Sequence, residues 1–167
     1  MEKIELTKRE YKFLSSIYKS IENSVFINCI MIEGEYLIVT DGKRIHRMKY
    51  KKQLVDGWYY VRDTIKINSQ IIHLILDKES RELLKTDKFF DDLPKLTFVC
   101  IDNTDIGVTS SILKIYEKTK RAITYAYIKP LKGFTWDVCG IAEAENKPLT
   151  FKNNYFSAVI MPFRYIE

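Results

Sequence analysis

Cysteine and histidine, on which many metal and catalytic sites depend, are scarce: the 167 residues include three cysteines and two histidines. Cys29, Cys100 and Cys139 are far apart, and each lies in an apolar, strand-like stretch. This pattern favours reduced thiols in the core of a cytoplasmic protein over disulfides or zinc ligands. Neither His46 nor His73 has a carboxylate or nucleophile partner that is evident in the sequence, and His73 fits a position beside the core better than a metal site.

Sequence motifs of nucleotide-dependent and hydrolytic enzymes are also absent. The chain has no Gly-rich phosphate loop of the Walker or dinucleotide type and no Gly-x-Ser-x-Gly elbow. The adjacent Asp91 and Asp92 point apart, which suits a turn or a cap better than a metal pair or an acid–base pair. A catalytic partner that is distant in the sequence stays open. The sequence predicts no metal and no cofactor, and it gives no positive reason to expect an enzyme.

Long apolar runs are missing as well, since no run reaches the roughly 20 residues that span a bilayer. Residues 1–5 do not begin a secretory signal. Hydrophobic residues make up 46% of the chain and charged residues 29%, which is typical of a globular protein. We expect one domain over residues 1–167, with extra strands. The net charge of +5 permits nucleic-acid binding without requiring it.

The first helix is predicted from residue 8 to about residue 21. Thr7 and Glu10 have the spacing of a capping box, and apolar residues then recur every three or four positions. Lys8, Lys12 and Lys19 fall within about 40° of one another on the opposite face. Two interpretations stay open: a solvated lysine face, or a helix that lies against a phosphate backbone and gives salt-sensitive attraction without sequence preference.

An antiparallel meander follows this helix. Strands are predicted over residues 25–32 and 36–40, with a turn at Glu33 and Gly34 between them. Asp41 and Gly42 form a second tight-turn signal that requires a positive φ, and residues 43–50 continue the meander. The positive run from Lys43 to Lys52 is typical of a solvated strand end, and phosphate contact is the alternative.

The middle of the chain is predicted from short patterns. Residues 65–76, dense in Ile and Leu, favour a helix, and residues 79–88 favour another helical turn or two. Strands are predicted over residues 96–101, 106–109, 112–116 and 122–128. The basic turn at residues 118–121 is a second candidate phosphate contact, with a solvated loop as the alternative.

The final strand is predicted over residues 154–165. Apolar residues stand on both of its faces, which indicates a strand covered on both sides. Pro162 has no amide proton, so the hydrogen-bond ladder should end there. On these residues alone, the segment is a buried C-terminal strand with a frayed end.

Two segments resemble one protein family. Residues 40–45, Thr-Asp-Gly-Lys-Arg-Ile, resemble the Thr-Asp-Gly-His-Arg-Leu segment in the middle domain of bacterial DNA polymerase III β subunits, the DNA sliding clamps. Residues 159–164, Val-Ile-Met-Pro-Phe-Arg, resemble the tail that closes those proteins. In that family the two segments lie side by side and form a hydrophobic cleft for short linear motifs of polymerases, the clamp loader and repair proteins. The resemblance implies a shortened clamp-like chain with an α+β fold, in which about two helices pack on one side of antiparallel sheets.

The resemblance also implies two sites. The residues expected to form a partner-peptide cleft are Thr40, Gly42, Arg44, Ile45, Val159, Met161, Pro162, Phe163 and Arg164. Lys8, Lys12 and Lys19 are expected to contact the DNA backbone. Lys43, Ile45, Phe163 and Tyr165 depart from the family pattern, and the aromatic changes would reshape the cleft and alter its motif preference.

The function implied is that of a processivity and partner-docking protein in DNA replication. It would bind duplex DNA without sequence preference, and DNA polymerase or clamp-loader type proteins through short motifs. Because a single domain cannot close a ring, encircling DNA would require head-to-tail homo-oligomers. Two alternatives stay open: a monomeric clamp mimic from a phage or mobile element that competes for clamp partners, and a generic basic nucleic-acid-binding module. An enzyme of unrecognised type is a further hypothesis besides these two.

Overall fold

The computed structural model describes residues 2–19, 28–52, 54–66, 70–77 and 82–163. The chain divides into two compact units, Met1–Lys85 and Thr86–Glu167. A single domain over residues 1–167 stays a prediction, because such a division does not test whether either part folds alone. The strands of each unit pair in antiparallel fashion, and the predicted α+β class is confirmed.

The described residues of the first unit form six strands and one helix. In chain order they are β1 (Glu2–Leu6), α1 (Lys8–Tyr18), β2 (Cys29–Glu33), β3 (Tyr36–Thr40), β4 (Arg44–Lys49), β5 (Gly57–Lys66) and β6 (Gln70–Leu76). Within this unit the strand order is β1-β6-β5-β2-β3-β4. Helix α1 packs on β3 and β4.

The capping box predicted for α1 is confirmed. The Thr7 hydroxyl accepts a hydrogen bond from the Glu10 amide at 3.2 Å, and the Glu10 carboxylate accepts one from the Thr7 amide at 2.7 Å. The helix ends at Tyr18, earlier than predicted, and residue 21 lies outside the described residues. Its buried face consists of Phe13, Leu14, Ile17 and Tyr18. These side chains fix which face of the helix is left to solvent.

His46 joins this helix to the sheet. Its ring stacks on Phe13 with centroids 4.2 Å apart, and Nδ1 donates a hydrogen bond to the Phe13 carbonyl at 2.9 Å. The side chain is fully buried. Burial lowers the pKa of His46 to about 3, with the neighbouring Arg44 charge acting in the same direction. His46 is therefore neutral in the folded protein, as a core histidine would be.

Stability should fall as the pH drops below 6.5, because the unfolded chain then binds a proton at His46 that the folded chain excludes. The loss begins near pH 6.5, continues towards pH 3 and reaches about 2 kcal/mol at pH 5. Urea denaturation at pH 7.5 and pH 5.0 measures it. The His46→Gln variant keeps an amide donor for the Phe13 carbonyl and should lose most of this pH dependence. An equal pH dependence in both proteins would contradict the assignment.

Up to residue 163, where its described part ends, the second unit holds four strands and two short helices beside one long helix. In chain order these are α2 (Asp87–Phe90), β7 (Lys95–Ile101), α3 (Asp105–Thr119), α4 (Tyr125–Ile128), a 3-10 turn (Lys129–Leu131), β8 (Phe134–Cys139), β9 (Leu149–Lys152) and β10 (Phe156–Ile160). Within this unit the strand order is β10-β9-β8-β7. Helix α3 packs on β7. Among the described residues α1 and α3 are the only helices longer than four residues, which agrees with the two helices expected.

Several predictions for the middle of the chain are wrong. Residues 65–76 do not form a helix, since they belong to strands β5 and β6 on either side of residues 67–69, which lie outside the described part of the chain. The strands predicted at residues 106–109 and 112–116 are one helix, α3, and residues 125–128 are helical as well. Of the helical turns predicted over residues 79–88, the structure shows the start of α2 at Asp87, while residues 79–81 are not described.

In the described parts of the chain, no helix is both long enough and apolar enough to cross a membrane.

Candidate functional site

The turn between β3 and β4 is built from its own side chains. Gly42 has φ +81°, so the positive φ predicted for this turn is confirmed. The Thr40 hydroxyl donates to the Arg44 carbonyl at 2.8 Å and accepts from the Gly42 amide at 3.1 Å. The Asp41 carboxylate accepts from the amides of Lys43 and Arg44 at 3.0 and 2.8 Å. These bonds add to the backbone hydrogen bond across the turn, which runs from the Asp41 amide to the Arg44 carbonyl at 3.3 Å.

Arg44 completes the same turn. Its Nε and Nη2 donate to the second oxygen of Asp41 at 2.8 and 2.6 Å. The side chains of Arg44 and Asp41 are only 5% and 1% exposed. The Asp41 carboxylate therefore balances the guanidinium charge within the turn. A direct contact between Arg44 and a bound peptide stays a prediction. Asp41 was missed as a site residue, although an Asp before Gly in a hairpin is a known signal for this kind of side-chain cap.

Ile45 gives this turn an apolar flank. It is half-buried and packs against the core cluster of Cys29, Met31, Ile38 and Trp58. Ile45 pairs with Thr40 at the end of the hairpin, so the turn geometry also fixes the position of Ile45. The part of the predicted cleft that lies in the first unit is thus one rigid hairpin end with an apolar edge.

The second predicted segment is the end of β10. This strand stops at Ile160, ahead of Pro162 as predicted, and Ala158, Val159 and Ile160 are buried. Past the strand, Met161 is 36% exposed and Phe163 is 61% exposed. The Phe163 amide donates to the Ala122 carbonyl at 2.7 Å, which anchors this short tail. Two apolar side chains, one on either side of Pro162, are therefore exposed at a defined backbone position.

The two segments belong to different units of the chain. Residues 40–45 lie in the first unit and residues 159–163 in the second, and a single cleft formed by both stays a prediction. Arg164, the last residue of that predicted cleft, lies outside the described residues.

The three predicted DNA-contacting lysines are exposed in the first unit. Lys8 and Lys12 lie on α1, and Lys19 immediately follows its last turn. The Lys19 ammonium donates to the Tyr11 hydroxyl at 2.5 Å, so part of its hydrogen-bonding capacity is used within the protein. A DNA contact by these side chains stays a prediction.

The positive run from Lys43 to Lys52 is largely paired within the first unit. Lys49 pairs with Glu35 at 2.7 Å and Lys52 with Glu2 at 3.5 Å. The Arg47 guanidinium lies 4.3 Å from the centre of the Tyr36 ring. Together with the pairing of Arg44, these contacts give four basic residues of the run partners within the first unit, and a phosphate contact by the run stays a prediction.

His73 also has a partner that the sequence did not reveal. Its Nδ1 lies 2.5 Å from the Asp63 carboxylate on the adjacent strand β5. Among the residues that the structure describes, no group of three or more His, Cys, Asp or Glu side chains is placed to hold a metal ion.

No family model and no curated protein matches the sequence. Solved structures do match. DNA polymerase III subunit beta from Borrelia burgdorferi, solved in complex with a natural product, is 10% identical with a TM-score of 0.59, over 99% of this chain and 64% of that one. The β subunit of DNA polymerase from Streptococcus pyogenes is 12% identical with a TM-score of 0.54, over 98% and 66%. The DNA polymerase sliding clamp of Bacillus subtilis is 11% identical with a TM-score of 0.52, over 99% and 65%.

The fold is that of a sliding clamp. At such low identity the likeness shows the fold alone, and it confirms the fold that the two short motifs implied. The chain spans about two thirds of the length of these clamp structures, 64% to 66%.

Proposed function

We propose that this chain is a sliding-clamp-like processivity and partner-docking protein rather than an enzyme. The observation that supports it is the fold likeness to bacterial clamps, which extends over 98% to 99% of the chain. Two motifs that resemble the halves of the clamp cleft occur in the same chain and in the family's order. Fold and motifs are separate observations, and they point to the same role in DNA replication.

The proposed partner site takes a short linear motif from a polymerase or clamp-loader type protein. Met161 and Phe163 are exposed apolar side chains of the kind that anchor a peptide, and Ile45 supplies a further apolar surface. The Asp41–Arg44 pair holds the hairpin end in one conformation. The hairpin end would therefore lose little conformational entropy when a peptide binds. Arg164 would supply a positive charge for the acidic or carbonyl groups of the peptide.

The proposed DNA site is the exposed lysine face of α1. Lys8, Lys12 and Lys19 would contact phosphates, which gives attraction without sequence preference and with strong salt dependence. Encircling the duplex would require head-to-tail association of copies of this chain. A monomeric mimic that competes for clamp partners is the second candidate. Light scattering distinguishes a ring from a monomer.

Changing Lys8, Lys12 and Lys19 together to Glu should weaken duplex binding and flatten its salt dependence. Each lost phosphate contact lowers the slope of log K against log salt by about 0.9, so the slope should fall by about 3. Fluorescence anisotropy with a labelled duplex at several salt concentrations measures it. The matched control changes Lys85, Lys129 and Lys147 to Glu, three exposed lysines outside α1 that give the same net charge. Equal slopes for the two variants would remove α1 from the DNA site.

A further inference from the structure

The sheet face of the first unit that lies away from α1 carries an apolar cluster. His46 stacks on Phe13 of α1, and Ile45 precedes it in β4. Because side chains alternate across a strand, Ile45 lies on the face away from the helix. Four buried side chains on neighbouring strands form the apolar cluster against which Ile45 packs: Cys29, Met31, Ile38 and Trp58. The apolar edge of the proposed peptide site is therefore continuous with a larger apolar surface.

Residues 82–85, the covering segment, lie over this cluster. Leu84 is half-buried and packs against it. The Trp58 Nε1 donates a hydrogen bond to the Glu82 carbonyl at 3.2 Å, and the Leu84 amide donates one to the Met31 sulfur at 3.3 Å. The covering segment thus contacts the sheet through one apolar side chain and two backbone groups, all within the first unit.

A bound peptide can reproduce each of these contacts. A backbone carbonyl and a backbone amide two residues further on are present in almost any peptide, so the two hydrogen bonds specify no side chain. Only the leucine is specified. Main-chain hydrogen bonds combined with a pocket for one side chain are a common mode of recognising linear motifs. The cluster therefore already holds a leucine-containing segment, which in the free protein comes from its own chain.

The covering segment is held by few interactions. A thioether sulfur, the acceptor for the Leu84 amide, is a weak one. Among the described residues, no amide or carbonyl of residues 82–85 bonds to another backbone group, and these four residues belong to no helix or strand. Segments with few buried contacts and no hydrogen-bond ladder open at a small cost in free energy. A peptide can therefore displace this segment while the strands beneath it stay paired.

We propose that the surface beneath Leu84 is a second subsite of the partner-peptide site, and that it takes a leucine or a similar aliphatic side chain of the partner's motif. Leu84 occupies this subsite in the free protein, and the incoming motif displaces it. The proposal rests on the docking function proposed above and adds to the site a surface formed by Met31, Ile38 and Trp58. Since the covering segment competes with the partner, the apparent affinity for the peptide is lower than the intrinsic affinity.

Truncation of Leu84 tests this competition. Leu84→Ala should bind the peptide about three- to tenfold more tightly than the wild type, because a methyl group holds the closed state less well. The probe is a labelled peptide that carries the clamp-binding motif of a bacterial polymerase, followed by fluorescence anisotropy. Leu83→Ala, in the same segment at a side chain that is 37% exposed, is the matched control and should bind as the wild type does. Leu84→Met keeps a long apolar side chain and should bind with nearly wild-type affinity.

The sign of the effect decides the outcome. If Leu84 were a fixed wall of the site, its truncation would remove a contact with the peptide and weaken binding. Binding to the wild type with equal or weaker binding to Leu84→Ala would therefore overturn this inference alone. An equal gain in Leu83→Ala would overturn it as well. No binding to the wild type would contradict the docking function itself, and this inference with it.

A second measurement uses the wild-type protein, so it does not depend on the folding of a variant. The methyl groups of Leu84 and Met31 should show a nuclear Overhauser contact in the free protein, since the Leu84 amide lies 3.3 Å from the Met31 sulfur. Saturation with the peptide should abolish this contact and replace it with one between Met31 and an aliphatic residue of the peptide. Persistence of the Leu84–Met31 contact in the saturated complex would overturn the proposal.

Discussion

Replacing Asp41 with alanine should lower the free energy of unfolding by about 3 kcal/mol, because it leaves the buried Arg44 guanidinium without its carboxylate. The Asp41 side chain accepts four hydrogen bonds, two from backbone amides and two from Arg44. Both charged side chains are buried, so water cannot readily replace these bonds. Urea denaturation at pH 7 measures the loss.

Asp56 provides the matched control. Its exposed carboxylate accepts one hydrogen bond, from the Gly34 amide at 2.8 Å, in the neighbouring hairpin turn. Asp56→Ala should therefore cost about 1 kcal/mol or less. The double change Asp41→Ala with Arg44→Met should recover much of the loss, since no unpaired charge is then left buried. Equal losses for Asp41→Ala and Asp56→Ala would show that the Asp41–Arg44 pair does not hold the turn.

Local signals in the sequence were sufficient where each element depends on its own residues. The capping box at Thr7 and Glu10 and the positive φ at Gly42 are interactions among residues at most four positions apart, so they could be predicted. The end of β10 follows from the missing amide proton of Pro162. These three features include the start of α1, the helix that we propose contacts DNA. They also include one residue in each of the two segments of the proposed cleft, Gly42 and Pro162.

Helix α3 was missed because hydroxyl residues stand on its buried face. Ser111 and Thr119 are buried on the same face as Val108 and Ile115, and their hydroxyls donate to carbonyls one helical turn back, of Gly107 and Ile115, both at 2.8 Å. These internal bonds allow polar residues in the core, and they conceal the helical period of the apolar residues. The exposed Ile106 added to a strand-like appearance.

Strand β6 and the end of strand β5 were predicted as a helix for the opposite reason. Ile72 and Leu74 are buried, whereas Ile75 and Leu76 are exposed. Because apolar residues also occupy exposed positions, the sequence does not show the alternation of apolar and polar residues that marks a strand. The partners of the basic residues were also unpredictable. The Lys49–Glu35 and Lys52–Glu2 pairs depend on chain segments brought together by the sheet, and residue spacing alone does not give their positions.

The proposed function depends on a peptide site that includes the end of β10. Met161 is exposed enough that its truncation should leave the fold intact. Because exposed apolar anchors dominate the affinity of short motifs, Met161→Ala should weaken peptide binding by about tenfold or more. Ile106→Ala is the matched control, since Ile106 is an apolar residue of the same unit that is 79% exposed and outside the proposed site.

Ile45→Ala tests the other half of the site. If Ile45 and Met161 contact the same peptide, the effects of the two single changes should not add, and the double variant should show a coupling of at least about 0.5 kcal/mol. Additive effects would indicate that the two segments do not share one cleft.

The most direct measurement is therefore the titration of a labelled peptide that carries the clamp-binding motif of a bacterial polymerase against the wild type, Met161→Ala and Ile106→Ala. We predict saturable binding to the wild type, the same affinity for Ile106→Ala and about tenfold weaker binding to Met161→Ala. Equal affinity for the wild type and Met161→Ala, or no binding to any of the three, would contradict a clamp-like docking function.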